Sequence, residues 1–208
     1  MSAVVQLPID VGTVKGFLDT EEGEALYHAA LAAASVGPMV EIGSYCGKSA
    51  VYIGTAARDA GSVLFTIDHH RGSEEMQPGW KHHDPSTWDK RNKMMESLPF
   101  LRDTLRRAKL EECVVPAVGR SSIIARYWTT PLGFLFIDGG HAMPEAEADY
   151  RGWSPHVAVG GTLAIHDVFP NPKDGGRPPY EIYKMAIGSG KFVETRAVES
   201  LRLLRRTR

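Results

Sequence analysis

The sequence predicts an α/β fold, with a doubly wound, mostly parallel sheet and helices on both faces. Short apolar runs alternate with longer amphipathic runs along most of the chain. The spacers between the apolar runs are long enough for crossover helices, which join parallel strands. The chain has 208 residues, which fits one compact domain with modest insertions. We therefore expect a single domain over residues 1–208.

The alternation assigns each element in turn. Strands are predicted at residues 38–42, 63–67, 114–118, 134–137 and 161–165. Helices are predicted between them at 48–58, 89–109 with a break near Pro99, 121–128 and 144–153. Upstream, a helix is expected over 20–34 with Thr20 as its cap, although Gly23 stands where a capping box needs an acid. Downstream, a helix over 179–187 and strands at 192–195 and 201–204 close the sheet.

Two stretches, 69–88 and 169–178, fit no regular element. Loops of this length in a compact domain are usually lids or binding loops. The expected layout is therefore a short N-terminal helical segment (about 1–35), the main domain, and a lid-like insertion (about 69–88).

Charge and cysteine content restrict the class of protein. The 24 basic and 25 acidic residues nearly cancel, so neither nucleic acid nor a membrane is expected as a partner. The arginines near the C-terminus are read as a solvated strand face. Two distant cysteines cannot form a disulfide scaffold or a thiolate metal site. The longest uncharged stretch is too short and polar for a membrane span, and the N-terminus lacks a leader pattern, so a cytoplasmic location is expected.

The first predicted strand leads into a glycine motif, Glu41-Ile-Gly43-Ser-Tyr-Cys-Gly47-Lys-Ser49. Ligands bind beyond the carboxyl ends of parallel strands, and glycines there allow a tight turn and close approach of a ligand. The spacing is one residue too short for a phosphate-binding loop and lacks the dinucleotide fingerprint. What remains is an acid followed by G-x-x-x-G.

This motif resembles that of the class I S-adenosylmethionine-dependent methyltransferases. The resemblance implies a Rossmann-like sheet of seven strands and S-adenosylmethionine as cofactor. Asp68, at the end of the second strand, would hold the ribose, since a carboxylate can accept two hydroxyl hydrogen bonds. Gly119 and Ser121 would border the adenine, and Tyr45 the methionine end. The cofactor-binding residues expected are Glu41, Gly43, Ser44, Tyr45, Gly47, Ser49, Asp68, His69, Gly119 and Ser121.

The fourth and fifth strands end in Asp138-Gly-Gly-His141 and His166-Asp167. These ends resemble the divalent-metal-dependent O-methyltransferases, in particular the macrolide sugar O-methyltransferases, the cephalosporin-hydroxylase-like group and the mycobacterial polysaccharide sugar O-methyltransferases. The resemblance implies that Asp138, His166 and Asp167 bind a metal and that His141 is the general base. Neighbouring strands lie ~4.8 Å apart, so their terminal side chains can share an ion.

His166 departs from the pattern, because relatives usually carry an acid or an amide there. Magnesium is the first expectation, whereas an imidazole ligand favours manganese or cobalt. Adjacent strand residues also point to opposite faces, so His166 and Asp167 can both bind only if the strand end bends. Two other roles stay open: Asp138 as a helix cap, and His141 as an ordinary loop histidine.

The predicted activity is methyl transfer to a hydroxyl of a sugar or a sugar-containing small molecule. The lid carries Trp80, His82, His83 and Trp88, and aromatic rings beside polar groups suit a carbohydrate. A homodimer is expected by analogy. The alternatives are a catechol or phenol O-methyltransferase, a nicotinamide-dependent oxidoreductase, and a non-catalytic binding module.

Overall fold

The computed structural model describes residues 5–140, 142–171 and 173–208. Within them lies a seven-stranded sheet of β1 (Met39–Ile42), β2 (Leu64–Asp68), β5 (Val114–Val118), β6 (Leu132–Ile137), β7 (Val157–Ile165), β8 (Phe192–Val198) and β9 (Leu201–Arg206). The strand order is β5-β2-β1-β6-β7-β9-β8. The five strands β5, β2, β1, β6 and β7 are parallel to one another, and β9 runs antiparallel to its two neighbours, β7 and β8. This architecture confirms the predicted fold.

Helices cover both faces of the sheet: α1 (Thr20–Ala33), α2 (Lys48–Asp59), α3 (Leu98–Ala108), α4 (Ser121–Ala125), α5 (Met143–Trp153) and α6 (Pro178–Gly188). The central strand β6 alternates between two cores. Phe134 and Phe136 pack with α1, α2 and α3, whereas Leu135 and Ile137 pack with α4, α5 and α6. This period of two follows from the strand pleat, and both faces are apolar because both are covered.

The helix predicted over 89–109 is wrong in its first half. Helix α3 begins at Leu98, and a short antiparallel pair, β3 (Trp88–Asp89) and β4 (Met94–Met95), precedes it. The Asp89 carboxylate accepts hydrogen bonds from the backbone N–H groups of Arg91 and Asn92, and Lys93 has φ +53°. These local bonds stabilise a turn that competes with helix.

The N-terminus of α1 also differs from the prediction. Its N-cap is Asp19 and not Thr20, and Glu22, at the third helical position, accepts a hydrogen bond from the Asp19 N–H at 3.4 Å. Before α1, the described part of the N-terminal segment has only one 3-10 turn, at Val11–Thr13. None of the described helices has the length and apolar character needed to cross a membrane.

The carboxyl ends of β1 and β6 approach each other closely at Gly43. This residue has φ +93°, and a Cβ placed on it would lie 2.0 Å from the backbone oxygen of Asp138. Position 43 must therefore be glycine because two strand ends meet there, and not only because of a turn or a ligand. Gly43 brings Asp138 against the loop that follows β1.

Replacing Gly43 with alanine tests this contact. Gly160, in β7, has a similar φ of +88° but nothing within 4 Å of the added Cβ. Gly160→Ala should cost about 1 kcal/mol of unfolding free energy from backbone strain alone. Gly43→Ala should cost about 1–3 kcal/mol more because the two strand ends collide. Urea denaturation measures both, and equal losses would contradict the close-approach explanation.

Candidate active site

The loop between β1 and α2 is held in place by Asp68. Gly43, Tyr45 and Gly47 all have positive φ, and Asp68 Oδ2 accepts the backbone N–H groups of Ser44 at 3.1 Å and Tyr45 at 2.9 Å. Its Oδ1 accepts the N–H of His70 at 2.7 Å. A carboxylate offers about four acceptor positions, so three are already used. Asp68 therefore retains about one acceptor position, and its role in holding the ribose stays a prediction.

Glu41 lies fully buried beneath this loop. Its Oε2 accepts a hydrogen bond from the Thr66 hydroxyl, which is itself 2.5 Å from the Ser44 hydroxyl. Its Oε1 has no hydrogen-bond partner among the described residues. Burial, together with the nearby charges of Asp138 and Asp68, raises the pKa of Glu41 to about 7. The unpartnered oxygen is suited to a positively charged or N–H-bearing ligand.

The other predicted cofactor contacts lie at the start of α2 and at the ends of β2 and β5. Ser49 is buried in the first turn of α2, whereas His69 is exposed and accepts the Arg71 N–H at 3.0 Å. The Gly119 N–H donates to the backbone oxygen of Asp68 at 3.0 Å. These contacts place the end of β5 beside the end of β2, as parallel pairing requires.

Ser121 has a partner that the sequence did not indicate. Its hydroxyl is hydrogen-bonded to the carboxyl of Asp149, which projects from α5. Asp149 is buried, and burial raises its pKa to about 6, although the bond from Ser121 opposes the shift. An acid on an amphipathic helix is normally read as a solvated residue, so no sequence signal marked it.

Asp138, His166 and Asp167 converge at the ends of β6 and β7. One ligating atom from each lies within 4.8 Å of the others. His166 Nδ1 is 3.0 Å from Asp138 Oδ1 and 3.5 Å from Asp167 Oδ2. Asp167 has φ +56°, which breaks the strand alternation and turns its side chain to the same side as His166. The strand end therefore bends, as it must if His166 and Asp167 are both to face one ion.

The second nitrogen of His166 reaches an acid from another part of the chain. Nε2 lies 2.8 Å from Oε2 of Glu22 on α1. The side chains of His166 and Glu22 are only 5% and 3% exposed, whereas that of Asp138 is 26% exposed. Glu22 was not predicted from the sequence as a site residue. Its signal is positional: Glu22 shares a helix face with the buried residues Leu26, Ala30 and Ala33.

The charges of this cluster favour a cation. Burial opposes a charge on His166, but Asp138, Asp167 and Glu22 outweigh it and raise the pKa of the ring above its ordinary value. Three carboxylates around one imidazole, charged or neutral, leave the cluster negative. Two oxygen donors and one nitrogen facing a common point fit a divalent ion.

His141, the predicted general base, lies outside the described residues, so its role stays a prediction. It follows Gly140 directly in the chain. A Cβ on Gly140 would lie 3.8 Å from Cβ of Ser73, which places the start of the lid beside this loop.

The lid also meets the N-terminal segment over the glycine motif. Lys15 pairs with Asp84 of the lid at 2.5 Å. The Phe17 ring stacks on Tyr45, with centroids 6.1 Å apart, and meets His82 edge-on at 5.1 Å. Phe17 remains 63% exposed. An open aromatic surface therefore lies between the loop after β1 and the lid.

The buried Glu41 predicts a pH dependence of stability. A carboxyl whose pKa is raised in the folded state contributes stability below its unfolded pKa, about 4.3, and loses it as pH rises towards 7. Between pH 5 and pH 8, wild type should therefore lose stability relative to Glu41→Gln, which keeps an acceptor for Thr66 without a charge. Urea denaturation of both proteins at the two pH values measures the difference. A pH-independent difference would contradict the shifted pKa.

Comparison with known proteins agrees with this fold. Residues 40–168 match a family model described as "Methyltransferase domain". Among solved structures, the chain is similar to the O-methyltransferase TomG from Streptomyces achromogenes in complex with SAM, with 17% identity, 92% of this chain and 82% of that chain covered, and a TM-score of 0.62.

Two further solved structures share the fold. The O-methyltransferase NovP has 18% identity, with 89% of this chain and 79% of that chain covered and a TM-score of 0.67. An O-methyltransferase from Bacillus cereus in complex with SAH has 14% identity, with 91% and 83% covered and a TM-score of 0.61. Since the family match spans more than half of the chain, this protein belongs to the methyltransferase-domain family.

Proposed function

We propose that this protein is an S-adenosylmethionine-dependent, divalent-metal-assisted O-methyltransferase that acts on a hydroxyl of a sugar or a sugar-containing small molecule. The observation that carries the proposal is the convergence of Asp138, His166 and Asp167 beside the glycine loop. The residues that would bind the cofactor and those that would bind the cation then lie together at one edge of the sheet.

The cofactor assignment is supported by the residues around the loop. Asp68 would accept a ribose hydroxyl with its remaining capacity, and the unpartnered Oε1 of Glu41 would accept a donor from the cofactor's polar end. Gly119 and Ser121 lie at the neighbouring strand end, where the adenine would bind. SAM and SAH in TomG and the Bacillus cereus enzyme support the same cofactor here.

The chain's own residues would perform three tasks in the transfer. Asp138, Asp167 and Nδ1 of His166 would hold the metal, which supplies Lewis acidity that lowers the pKa of the acceptor hydroxyl. His141 would accept the proton of that hydroxyl. The lid would exclude water and orient the acceptor oxygen towards the methyl carbon, since most of the rate gain in such a transfer comes from positioning.

The acceptor class rests on the aromatic surface. The Phe17 ring packs against Tyr45 and His82 and is itself 63% exposed, and Trp80 of the lid is 53% exposed. Exposed rings beside hydrogen-bonding groups favour a sugar, whose C–H faces stack on aromatic rings while its hydroxyls find polar partners.

Removal of Asp138 tests the catalytic cluster. Asp138→Ala should lower turnover at least about a hundredfold, because it removes a cation ligand next to the reacting oxygen. Calorimetry should show unchanged binding of S-adenosylhomocysteine. The matched control, Asp103→Ala, changes an exposed acid of α3 and should keep full activity. Full activity of Asp138→Ala, or activity insensitive to EDTA, would refute the metal-assisted mechanism.

A substrate panel tests the acceptor. Purified protein with S-adenosylmethionine and Mg²⁺ or Mn²⁺ should form S-adenosylhomocysteine with saccharides or glycosides and not with catechols or simple phenols. Turnover of phenols alone would refute the sugar assignment while leaving O-methylation intact. Binding of NADH in place of S-adenosylhomocysteine would refute both.

A further inference from the structure

We propose that Glu22 is a positioning residue that presents Nδ1 of His166 to the metal, so that the site binds Mn²⁺ through one nitrogen and two carboxylates in preference to Mg²⁺. This inference rests on the proposed function only in using the same three ligating groups. Glu22 itself touches neither substrate nor metal.

Glu22 is held at both of its oxygens. Oε1 accepts the N–H of Ser200 at 2.9 Å, the Ser200 hydroxyl at 2.8 Å and the N–H of Leu201 at 3.1 Å. Oε2 is then left for His166, at 2.8 Å, and for the longer hydrogen bond from the Asp19 N–H, at 3.4 Å. Because three donors orient the carboxylate, its position relative to His166 is determined by the backbone of the β8–β9 turn.

The His166 ring has one orientation that satisfies both of its nitrogens. It is 5% exposed and packs edge-on against Phe136, with centroids 6.2 Å apart. Nε2 faces Glu22, and Nδ1 faces Asp138 and Asp167. A ring flip would break these contacts. A carboxylate that accepts the far N–H of a histidine directs the other nitrogen to a metal.

The donor set then determines metal preference. Mg²⁺ prefers oxygen ligands and near-ideal octahedral geometry, whereas Mn²⁺ shares the preference for carboxylates but, as a first-row transition ion, accepts an imidazole nitrogen more readily than Mg²⁺ does. A buried nitrogen directed between two carboxylates therefore favours Mn²⁺ over Mg²⁺ at this site.

The test uses Glu22→Gln with Mn²⁺ as the probe. The glutamine oxygen is required by the three donors from Ser200 and Leu201, so its NH₂ must face Nε2 of His166 and donate to it. The ring proton then moves to Nδ1, which can no longer bind metal. Mn²⁺ affinity, measured by electron paramagnetic resonance titration, should fall about 10–100-fold. The nitrogen coupling seen by electron spin echo modulation in wild type should disappear.

Three controls make the result specific. Glu21→Gln changes the exposed neighbouring acid in the same helical turn and should keep wild-type Mn²⁺ affinity. His141→Gln should keep the nitrogen coupling, which assigns the coupling to His166. Binding of S-adenosylhomocysteine and circular dichroism show whether Glu22→Gln is folded.

Two outcomes overturn the proposal. One is a wild-type protein in which bound Mn²⁺ shows no nitrogen coupling, or in which Mn²⁺ binds no more tightly than Mg²⁺. This measurement does not depend on whether the variant folds. The other is folded Glu22→Gln with unchanged affinity and coupling. Neither measurement involves methyl transfer, so nitrogen-coupled Mn²⁺ binding without turnover would refute the proposed function and leave this inference standing.

Discussion

The buried contact between Glu22 and His166 joins helix α1 to the edge of the sheet where the candidate metal ligands lie. It links α1 to the end of β7, and through Ser200 and Leu201 it links both to the turn between β8 and β9. Removing one partner of a buried ion pair typically costs about 3–5 kcal/mol, because the other charge is left uncompensated. The geometry around Asp138 therefore depends on a residue far from the glycine motif.

The sheet topology explains why the site lies where it does. The chain order reverses at β1, which has β2 on one side and β6 on the other. Loops that leave such a point diverge to opposite faces and open a crevice. Asp68 and Asp138 stand on the two sides of this crevice, and Gly43 lies between them. The β1 loop is thus stabilised from β2 by hydrogen bonds and from β6 by close backbone contact.

The parallel strands and the polar residues after them could be predicted from sequence because both signals are local. The apolar runs define the strands, and parallel pairing brings their ends to one edge. The position of Glu22 on the apolar face of α1 predicts its burial but not its partner, which depends on how α1 packs against the sheet. The partner of Asp149 likewise depends on how α5 packs against α4. The helix assigned to 89–97 failed because the Asp89 side chain stabilises a turn that periodicity does not register.

The hydrogen bonds between Glu22 and Ser200 join positions 178 residues apart. During synthesis, α1 therefore leaves the ribosome long before Ser200 and Leu201, which donate hydrogen bonds to the Glu22 carboxylate, have been added to the chain. Until β9 inserts between β7 and β8, Glu22 must remain hydrated and His166 has no fixed orientation. Contacts of such long sequence separation form slowly, so the proposed cation site should be among the last parts of the nascent protein to form.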